Sequence, residues 1–303
     1  MFVPHPLSVD TTARLHAVGL DPTAVEQVIG AALVEDLADG VDVTSVATIP
    51  ADQRCVVTFA ARETGVIAGL PVVAAVVEMV CGDAPSDIDH LMTDGDGVAV
   101  GSAVARVTAP TGLLLTAERS ALNLLCHLSG IATQTARWVT ACAGTDAVVR
   151  DTRKTLPGLR ALQKYAVRCG GGVNHRMGLF DAAMVKDNHV ASAGGVAEAY
   201  AAVRELEGTI PVEVEVDCLD GLRHAIEAGA DQVLIDNFTP EQMRAAVALR
   251  DEIGPEVWLE ASGGLTLETA AQVAATGVDS IAVGELTHSV RALDVGLDWE
   301  TVA

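Results

Sequence analysis

The sequence predicts an α/β protein in which an N-terminal α+β domain precedes an α/β barrel of about six strands. Three observations lead to this prediction. The chain has 303 residues, six short β-branched segments alternate with helical segments in its second part, and nearly all six segments end on a polar residue. A chain of this length has room for two domains. We place the first domain at residues 1–116 and the barrel at 117–289, with residues 290–303 as a tail that packs back on the first domain.

The first domain combines helical and strand signals without regular alternation. Residues 23–37 carry apolar side chains at helical spacing directly after Pro22, a favoured first-turn residue. Strands are predicted over 54–61 and 65–70, a buried helix over 71–80, and a glycine-rich hairpin over 94–110. This mixture is typical of an α+β layer.

The second domain opens with a long helix and continues as repeated strand–helix units. The helix is predicted to begin at Thr116, which caps it, and to end at Gly144. Strands are predicted at 147–151, 182–187, 212–216, 232–236, 257–261 and 280–284. Helices are predicted between them at 156–169, 195–207, 219–228, 240–253 and 267–275. This alternation indicates a parallel sheet, either doubly wound or closed as a barrel.

Polar residues at the strand ends favour the barrel. The residues at or just after these ends are Asp151, Arg153, Lys154, Lys186, Glu215, Asp236, Glu260, Ser262, Gly284 and Glu285. Side chains at the carboxyl ends of barrel strands converge on one face, where such enzymes hold their active sites. A doubly wound sheet gathers its site at one switch point, so it does not explain polar ends on every strand.

Charge is distributed unevenly along the chain. The formal net charge is −22, which makes nucleic acid and anionic membranes poor partners. Yet residues 150–186 hold eight basic and two acidic side chains, and all three lysines of the chain, at 154, 164 and 186, lie there. This segment predicts an anion-binding site, although a solvated basic helix face is the plainer alternative.

Cysteine usage and hydropathy predict a cytoplasmic protein without a membrane partner. The six cysteines are scattered and form no C-x-x-C pair, which is typical of reduced thiols rather than of a disulfide scaffold or a zinc cluster. The first ten residues, MFVPHPLSVD, lack the pattern of a secretory leader. The apolar run around residues 72–77 is far too short to span a bilayer.

The polar strand ends divide into groups with different chemistry. Glycine-rich turns at 261–264 and 283–286 precede helices, and backbone N–H groups at such turns favour phosphate. Glu215 and Asp236 end successive strands. Such a pair can bind Mg²⁺ together with substrate phosphates, act as the acid and base of a hydrolase, or balance the charge of nearby arginines. The cationic group is Arg153, Lys154, His175, Arg176 and Lys186. Together they predict a pocket for a phosphorylated and a carboxylated anion, which favours glycosyl transfer from a sugar pyrophosphate to an acidic acceptor.

Several segments resemble one enzyme family. The motifs are AERSALNLLCHLSGIAT, RDTRKTLPGLR, GGGVNHRMGLFDAAMVKDNH, VEVEV, LIDNF, EASGG and TGVDSIAVGELTHS. Over residues 35–289 the chain resembles the quinolinate phosphoribosyltransferases, the carboxylating nicotinate-nucleotide pyrophosphorylases. The resemblance implies type II phosphoribosyltransferase architecture, with an N-terminal α+β sandwich domain and an incomplete α/β barrel. It also implies a homodimer that could assemble further. Such enzymes convert quinolinate and phosphoribosyl pyrophosphate, with Mg²⁺, to nicotinate mononucleotide, pyrophosphate and CO₂ in NAD biosynthesis.

The resemblance also implies roles for individual residues. Quinolinate would be bound by Arg153, His175, Arg176 and Lys186, and by Arg119 reaching across from the neighbouring subunit. The phosphoribosyl and phosphate groups would be held by Thr152, Lys154, Ser262, Gly263, Gly264, Val283, Gly284 and Glu285. Glu215 and Asp236 would serve Mg²⁺ and, together with Lys154, catalysis.

Three alternatives remain at this point. The first is an enzyme of the same fold that acts on another acceptor. The second is a lyase that forms a Schiff base on Lys186, which requires an uncharged amine. The third is a protein that binds anions without turnover.

Overall fold

The computed structural model describes residues 4–206 and 210–300. Its helices are α1 Val9–Ala17, α2 Pro22–Leu37, α3 Val43–Thr48, α4 Leu70–Cys81, α5 Thr111–Ala141, α6 Arg160–Cys169, α7 Asp187–Ala193, α8 Val196–Leu206, α9 Leu219–Glu227, α10 Pro240–Ile253, α11 Ala270–Ala274 and α12 Glu285–His288. Its strands are β1 Arg54–Ala61, β2 Gly65–Val66, β3 Asp87–His90, β4 Gly97–Val98, β5 Ala103–Pro110, β6 Val148–Arg150, β7 Ala183–Val185, β8 Val212–Val216, β9 Gln232–Asp236, β10 Trp258–Ser262, β11 Ser280–Ala282 and β12 Val295–Glu300.

The chain divides into two compact units. The first comprises the described residues of 1–134, 156–171 and 289–303, and the second comprises those of 135–155 and 172–288. The boundary predicted between residues 116 and 117 falls inside α5. Over the described ranges no single helix is long and apolar enough to cross a membrane, and the bent pair α1–α2 meets that test by length and composition only.

The first unit is built on an antiparallel sheet in the order β12-β1-β5-β3, with a separate ribbon of β2 and β4. Residues 290–303, predicted as a tail on this domain, supply β12, which pairs with β1 along six residues from Val295 to Glu300. Val57, Phe59 and Ala61 alternate along β1 and are fully buried, as expected for a sheet with one face in a core. The helix α4 is buried at ten of its twelve positions, which fits its almost wholly apolar sequence.

Two strand predictions in this unit were wrong. The strand predicted over 65–70 ends at Val66, because Gly69 adopts a left-handed conformation (φ +112°) and α4 begins at Leu70. The hairpin predicted over 94–110 does not form. Instead β4 pairs with β2, because β5 already pairs with β1 on one side and with β3 on the other.

Two helix starts also differ from the prediction. The helix α5 begins at residue 111 rather than 116, directly after Pro110 ends β5, and its buried stripe is already present at Leu114, Ala117 and Ala121. The helix α6 begins at Arg160 rather than 156, because Pro157 disfavours helical backbone before it and Gly158 has a positive φ (+79°).

The second unit contains a six-stranded sheet in the order β6-β11-β10-β9-β8-β7, and all its neighbouring strands are parallel. The consecutive strands β6 and β7 lie at opposite ends of this order, so among the described residues the sheet is not closed by a ladder between them. The predicted class, an α/β unit with six parallel strands after a strand-containing N-terminal unit, is confirmed. The helix predicted over 195–207 is found as α8, and residue 207 lies outside the described residues.

Candidate functional site

Alternating positions of the parallel strands form a pocket at their carboxyl ends. In the strand register Ser262 lies beside Asp236, and Glu215 lies beside Leu234. Because side chains alternate between the two faces of a sheet, the residues two positions apart on each strand share this face. The cavity has a volume of about 440 Å³ and is lined by Thr152, Arg153, Lys154, His175, Arg176, Met184, Lys186, Glu215, Leu234, Asp236, Glu260, Ser262 and Ala282. Nine of the predicted site residues are therefore brought together.

Two arginines on the cationic side of the pocket are available to an anion. The Nε of Arg153 is buried and has no hydrogen-bond partner among the described residues, which is rare for a charged donor unless a ligand completes it. Arg176 donates from Nη1 to the carbonyl oxygen of Ala182 (3.0 Å). Burial and the charge of Arg153 lower the pKa of Arg176, as expected for two like charges that line one pocket. A ligand with more than one negative charge relieves this repulsion.

His175 lies at the inner end of the pocket against two buried carboxylates. Its Nε2 is 2.8 Å from Oε2 of Glu213 and 3.3 Å from Oε1 of Glu260. Burial acts to lower the pKa of His175, but the hydrogen bond to Glu213 and the ion pair with Glu260 outweigh it and raise the pKa to about 9. Burial likewise acts to raise the pKa of Glu260, but His175 and the charge of Arg150 lower it. The ligand atoms of these three side chains lie close enough together for a metal site, but Glu260 is already paired with Arg150 and the raised pKa of His175 opposes metal binding.

The carboxylates predicted for Mg²⁺ lie on adjacent strands at the open side of the pocket. Glu215 accepts a hydrogen bond from Nζ of Lys186. Burial and the charge of Glu215 raise the pKa of Asp236, while Lys186 and Lys154 act in the opposite direction. Two hard oxygen ligands that repel each other suit a divalent cation that also binds substrate phosphates. The donor set therefore fits Mg²⁺.

Two glycines bring backbone close to these side chains. At Gly263 (φ +86°) a Cβ would lie 2.7 Å from Oδ1 of Asp236, so the loop after β10 can pass Asp236 only with glycine there. At Gly284 a Cβ would lie 2.9 Å from Cδ of Lys154. In both predicted phosphate turns, the lack of a side chain at the glycine allows the backbone to lie close to residues of the pocket.

Six predicted site residues do not line the cavity: Arg119, Gly263, Gly264, Val283, Gly284 and Glu285. Arg119 is exposed on α5, and Val283 is buried. The Glu285 carboxylate accepts a hydrogen bond from the indole nitrogen of Trp138 (2.9 Å), so its side chain is engaged away from a phosphate. A phosphate contact by the glycine turns and by Glu285 would therefore come from backbone N–H groups.

The structure adds residues to the site to which the sequence analysis gave no role, although it named Glu260 among the polar strand ends. Glu213 and Glu260 support His175, and Met184 and Leu234 give the pocket an apolar wall. The strand period is a signal that could have found all four, because each stands two positions before a proposed site residue.

Comparison with known proteins identifies the family. Family models described as quinolinate phosphoribosyl transferase, N-terminal domain and C-terminal domain, match residues 42–129 and 131–298. The chain belongs to the quinolinate phosphoribosyltransferase family. Named relatives agree: a nicotinate-nucleotide pyrophosphorylase [carboxylating] of Mycobacterium leprae is 52% identical over 91% of this chain and 97% of that protein. A probable enzyme of the same name from Bacillus subtilis is 40% identical over 88% of this chain and 90% of its own length.

A solved structure of a similar protein has the same fold as this chain. The nicotinate-nucleotide pyrophosphorylase of Francisella tularensis superposes with a TM-score of 0.86 at 37% identity, covering 92% of this chain and 96% of that one. Both family domains and the fold therefore agree with the family that the sequence motifs indicated.

Proposed function

We propose that this chain transfers the phosphoribosyl group of phosphoribosyl pyrophosphate to the ring nitrogen of quinolinate, with loss of CO₂, in de novo NAD biosynthesis. The products are nicotinate mononucleotide and pyrophosphate. The observation that best supports this function is the composition of one pocket, in which Arg153, with its buried and unpartnered Nε, lines the same cavity as the carboxylates Glu215 and Asp236. Such a pocket matches a dicarboxylate on one side and a pyrophosphate with its cation on the other.

Quinolinate is assigned to the cationic side of the pocket. Arg153 and Arg176 carry planar guanidinium groups, which can each hold a carboxylate with two parallel hydrogen bonds. His175 and Lys186 add positive charge to the same side, although Lys186 is paired with Glu215 until a ligand competes for it. Met184 and Leu234 offer apolar surface to the pyridine ring and exclude water from it.

Phosphoribosyl pyrophosphate is assigned to the side that carries Lys154, Glu215 and Asp236. Thr152, Lys154 and Ser262 line this part of the cavity, and the backbone around Gly263 and Gly284 approaches it closely. Glu215 and Asp236 would hold Mg²⁺, which when bound neutralises charge on the pyrophosphate and makes it a better leaving group.

The residues support a direct displacement without a covalent enzyme intermediate. The ring nitrogen of quinolinate attacks the anomeric carbon of ribose as the bond to pyrophosphate breaks, and the ammonium group of Lys154 stabilises the negative charge that develops on the leaving group. Glu215 and Asp236 place negative charge near the sugar, which becomes cationic in the transition state. The alkylated ring nitrogen is positively charged, so it stabilises the carbanion that remains when the adjacent carboxylate leaves as CO₂. That carbon then takes up a proton.

The assembly and location of the enzyme are also part of the proposal. Arg119 would complete the quinolinate site of a second copy in a homodimer. Its exposure on α5, away from the lining of the cavity described above, supports this role.

The six cysteines are all free, which supports a location in the reducing cytoplasm.

The pairing of Lys186 argues against a Schiff-base lyase. Nζ of Lys186 donates a hydrogen bond to Glu215, so the nitrogen that would attack a carbonyl is already engaged with a carboxylate. Borohydride reduction in the presence of a carbonyl substrate would trap an adduct on Lys186 in a lyase, and we expect none.

A direct assay tests the proposed reaction. The protein is mixed with quinolinate labelled in the carboxylate next to the nitrogen, phosphoribosyl pyrophosphate and Mg²⁺, and both labelled CO₂ and nicotinate mononucleotide are measured. Nicotinate serves as the control acceptor, because it lacks the carboxylate that is lost and leaves one arginine without a partner. Folded protein that forms neither product would refute the proposal, and binding without turnover would leave an anion-binding protein.

A further inference from the structure

The loop between α6 and β7 carries His175 and Arg176 into the pocket, although residues 174–182 form neither helix nor strand. Four consecutive backbone N–H groups of this loop, at 175–178, donate hydrogen bonds to side chains. Such partners are required in an irregular segment, because a backbone N–H group left unpaired out of water costs free energy. The side chains that accept these bonds therefore fix the course of the loop.

Asp181 holds the segment that follows Arg176. Its Oδ2 accepts a hydrogen bond from the backbone N–H of Met177 (2.6 Å), and its Oδ1 accepts one from that of Gly178 (2.8 Å). The guanidinium group of Arg176 crosses the same turn and donates to the carbonyl oxygen of Ala182 (3.0 Å). The turn is thus closed in both directions, by a carboxylate that reaches back along the chain and by a guanidinium group that reaches forward.

Asp151 holds the beginning of the loop against the end of β6. It is fully buried, and its Oδ1 accepts from the backbone N–H of His175 (2.8 Å) while its Oδ2 accepts from Nδ2 of Asn174 (2.7 Å). The backbone of Val173 adds to this attachment, because its N–H group donates to the carbonyl oxygen of Val149 (2.8 Å). Asp151 therefore fixes the point at which the loop leaves the sheet.

The two carboxylates lie on either side of His175 and Arg176 in the chain and do not themselves line the cavity. We propose that Asp151 and Asp181 are positioning residues, which hold the backbone before and after His175 and Arg176 so that both side chains meet the carboxylates of the acceptor. The inference rests on the proposed function, because it takes these two side chains to bind the acceptor. It assigns a task to two acidic residues beside a site for an anion.

The charge of Asp181 and its hydrogen bonds predict opposite effects of removing the carboxylate. Burial is the largest influence on the pKa of Arg176 and lowers it, whereas the charge of Asp181 acts to raise it, so the two groups are close enough to interact. A negative charge near the pocket disfavours a dianion. Loss of the charge alone would therefore lower the KM for quinolinate, whereas loss of the bonds that hold the loop would raise it.

The test compares Asp181→Ala, Asp181→Asn and Asp151→Asn with wild type and with Asp96→Ala. Asp96 is the matched control, because it also accepts from a backbone N–H group, that of Thr93 (2.8 Å), but lies in the first unit. For each protein the KM for quinolinate, the KM for phosphoribosyl pyrophosphate and the hydrogen–deuterium exchange of residues 174–182 are measured. Asp181→Asn keeps one acceptor oxygen, so it remains informative if Asp181→Ala does not fold.

We expect the quinolinate KM to rise about tenfold in Asp181→Ala and by a smaller factor in the two asparagine variants, because a displaced loop no longer aligns its side chains with the acceptor. The KM for phosphoribosyl pyrophosphate should change little, and residues 174–182 should exchange faster than in wild type and in the control. Asp181→Ala combined with Arg176→Ala should have little more effect than Arg176→Ala alone, since both changes act on the same contact.

A quinolinate KM that is unchanged or lower in Asp181→Ala would overturn the inference, as would exchange at residues 174–182 that matches wild type. An equal rise in both KM values would also overturn it, because a general loss of structure has that effect. Wild type that turns over no quinolinate would instead refute the proposed function, and the exchange measurement would still show whether Asp181 holds the loop.

Discussion

The close approach of Gly263 to Asp236 gives a prediction whose magnitude can be worked from the structure. In Gly263→Ala the added Cβ would lie 2.7 Å from Oδ1 of Asp236, which is 0.7 Å inside the 3.4 Å at which ordinary contact begins. The side chain of Asn237 lies closer still and donates a hydrogen bond to Asp236 (2.7 Å), so the new methyl group displaces the loop, the carboxylate or the amide that holds the carboxylate. A displacement approaching 1 Å at a catalytic group can cost about 100-fold in rate. We therefore expect kcat/KM for phosphoribosyl pyrophosphate to fall about 10- to 100-fold.

The matched control for this change is Gly229→Ala. Gly229 has φ +88°, against +86° at Gly263, but a Cβ there would meet nothing within 4 Å. Both variants pay the same backbone cost of about 1–2 kcal/mol for a side chain in the left-handed region, so both should melt a few degrees below wild type. Only Gly263→Ala should lose activity. Equal kcat/KM in the two variants, measured by nicotinate mononucleotide formation, would refute the argument that the loop holds Asp236 in place.

Three further predictions follow from the assigned roles. Arg153→Ala should raise the quinolinate KM about 10- to 100-fold, because a buried charged hydrogen bond is worth about 1.5–3 kcal/mol; an unchanged KM in steady-state assays would contradict its role. Chelation of divalent cations should stop turnover, added Mg²⁺ should restore it, and calorimetry should still detect quinolinate binding; full turnover in excess chelator would exclude a metal at Glu215 and Asp236. Arg119→Ala and Lys154→Ala subunits, each inactive alone, should regain activity when co-assembled, and verified mixed dimers without activity would rule out a shared site.

Elements with complete local signals could be predicted from the sequence. The helix α10 occupies the predicted residues 240–253, because Pro240 opens it and Thr239 and Gln242 form a capping box. The strands β8 and β9 likewise match their predicted bounds, since each is a short β-branched run. In each case the deciding interactions lie within a few residues of one another.

Pairing between distant segments could not be predicted in this way. The hairpin assigned to 94–110 failed because the partners of β5 are β1 and β3, which local patterning does not specify. The strand β3, Asp87–His90, was missed because it is largely exposed and polar. Backbone N–H and C=O groups are the same in nearly every residue, so the sequence of a strand does not indicate which other strand it pairs with.

The candidate site shows the same division. Strand ends indicated Glu215, Asp236 and Lys186, and the register places Lys186 directly after the pairing of β7 with β8. Glu213 and Glu260 lie one layer further in; Glu213 was not distinguished from other charges within a strand, and Glu260 was noted as a strand end without a role. Their importance depends on the position of His175, which lies in the loop between α6 and β7 and is fixed only in three dimensions.

The pairing of β12 with β1 has a consequence for the order in which the protein is made. Residues 54–61 leave the ribosome long before residues 295–300, yet the two segments share six paired positions at one side of the same sheet. During synthesis β1 therefore has an open edge toward its missing neighbour, and open edges of this kind invite pairing with other chains. A chain truncated before residue 295 would therefore have an N-terminal sheet that is prone to aggregate, although it contains all six strands of the parallel sheet.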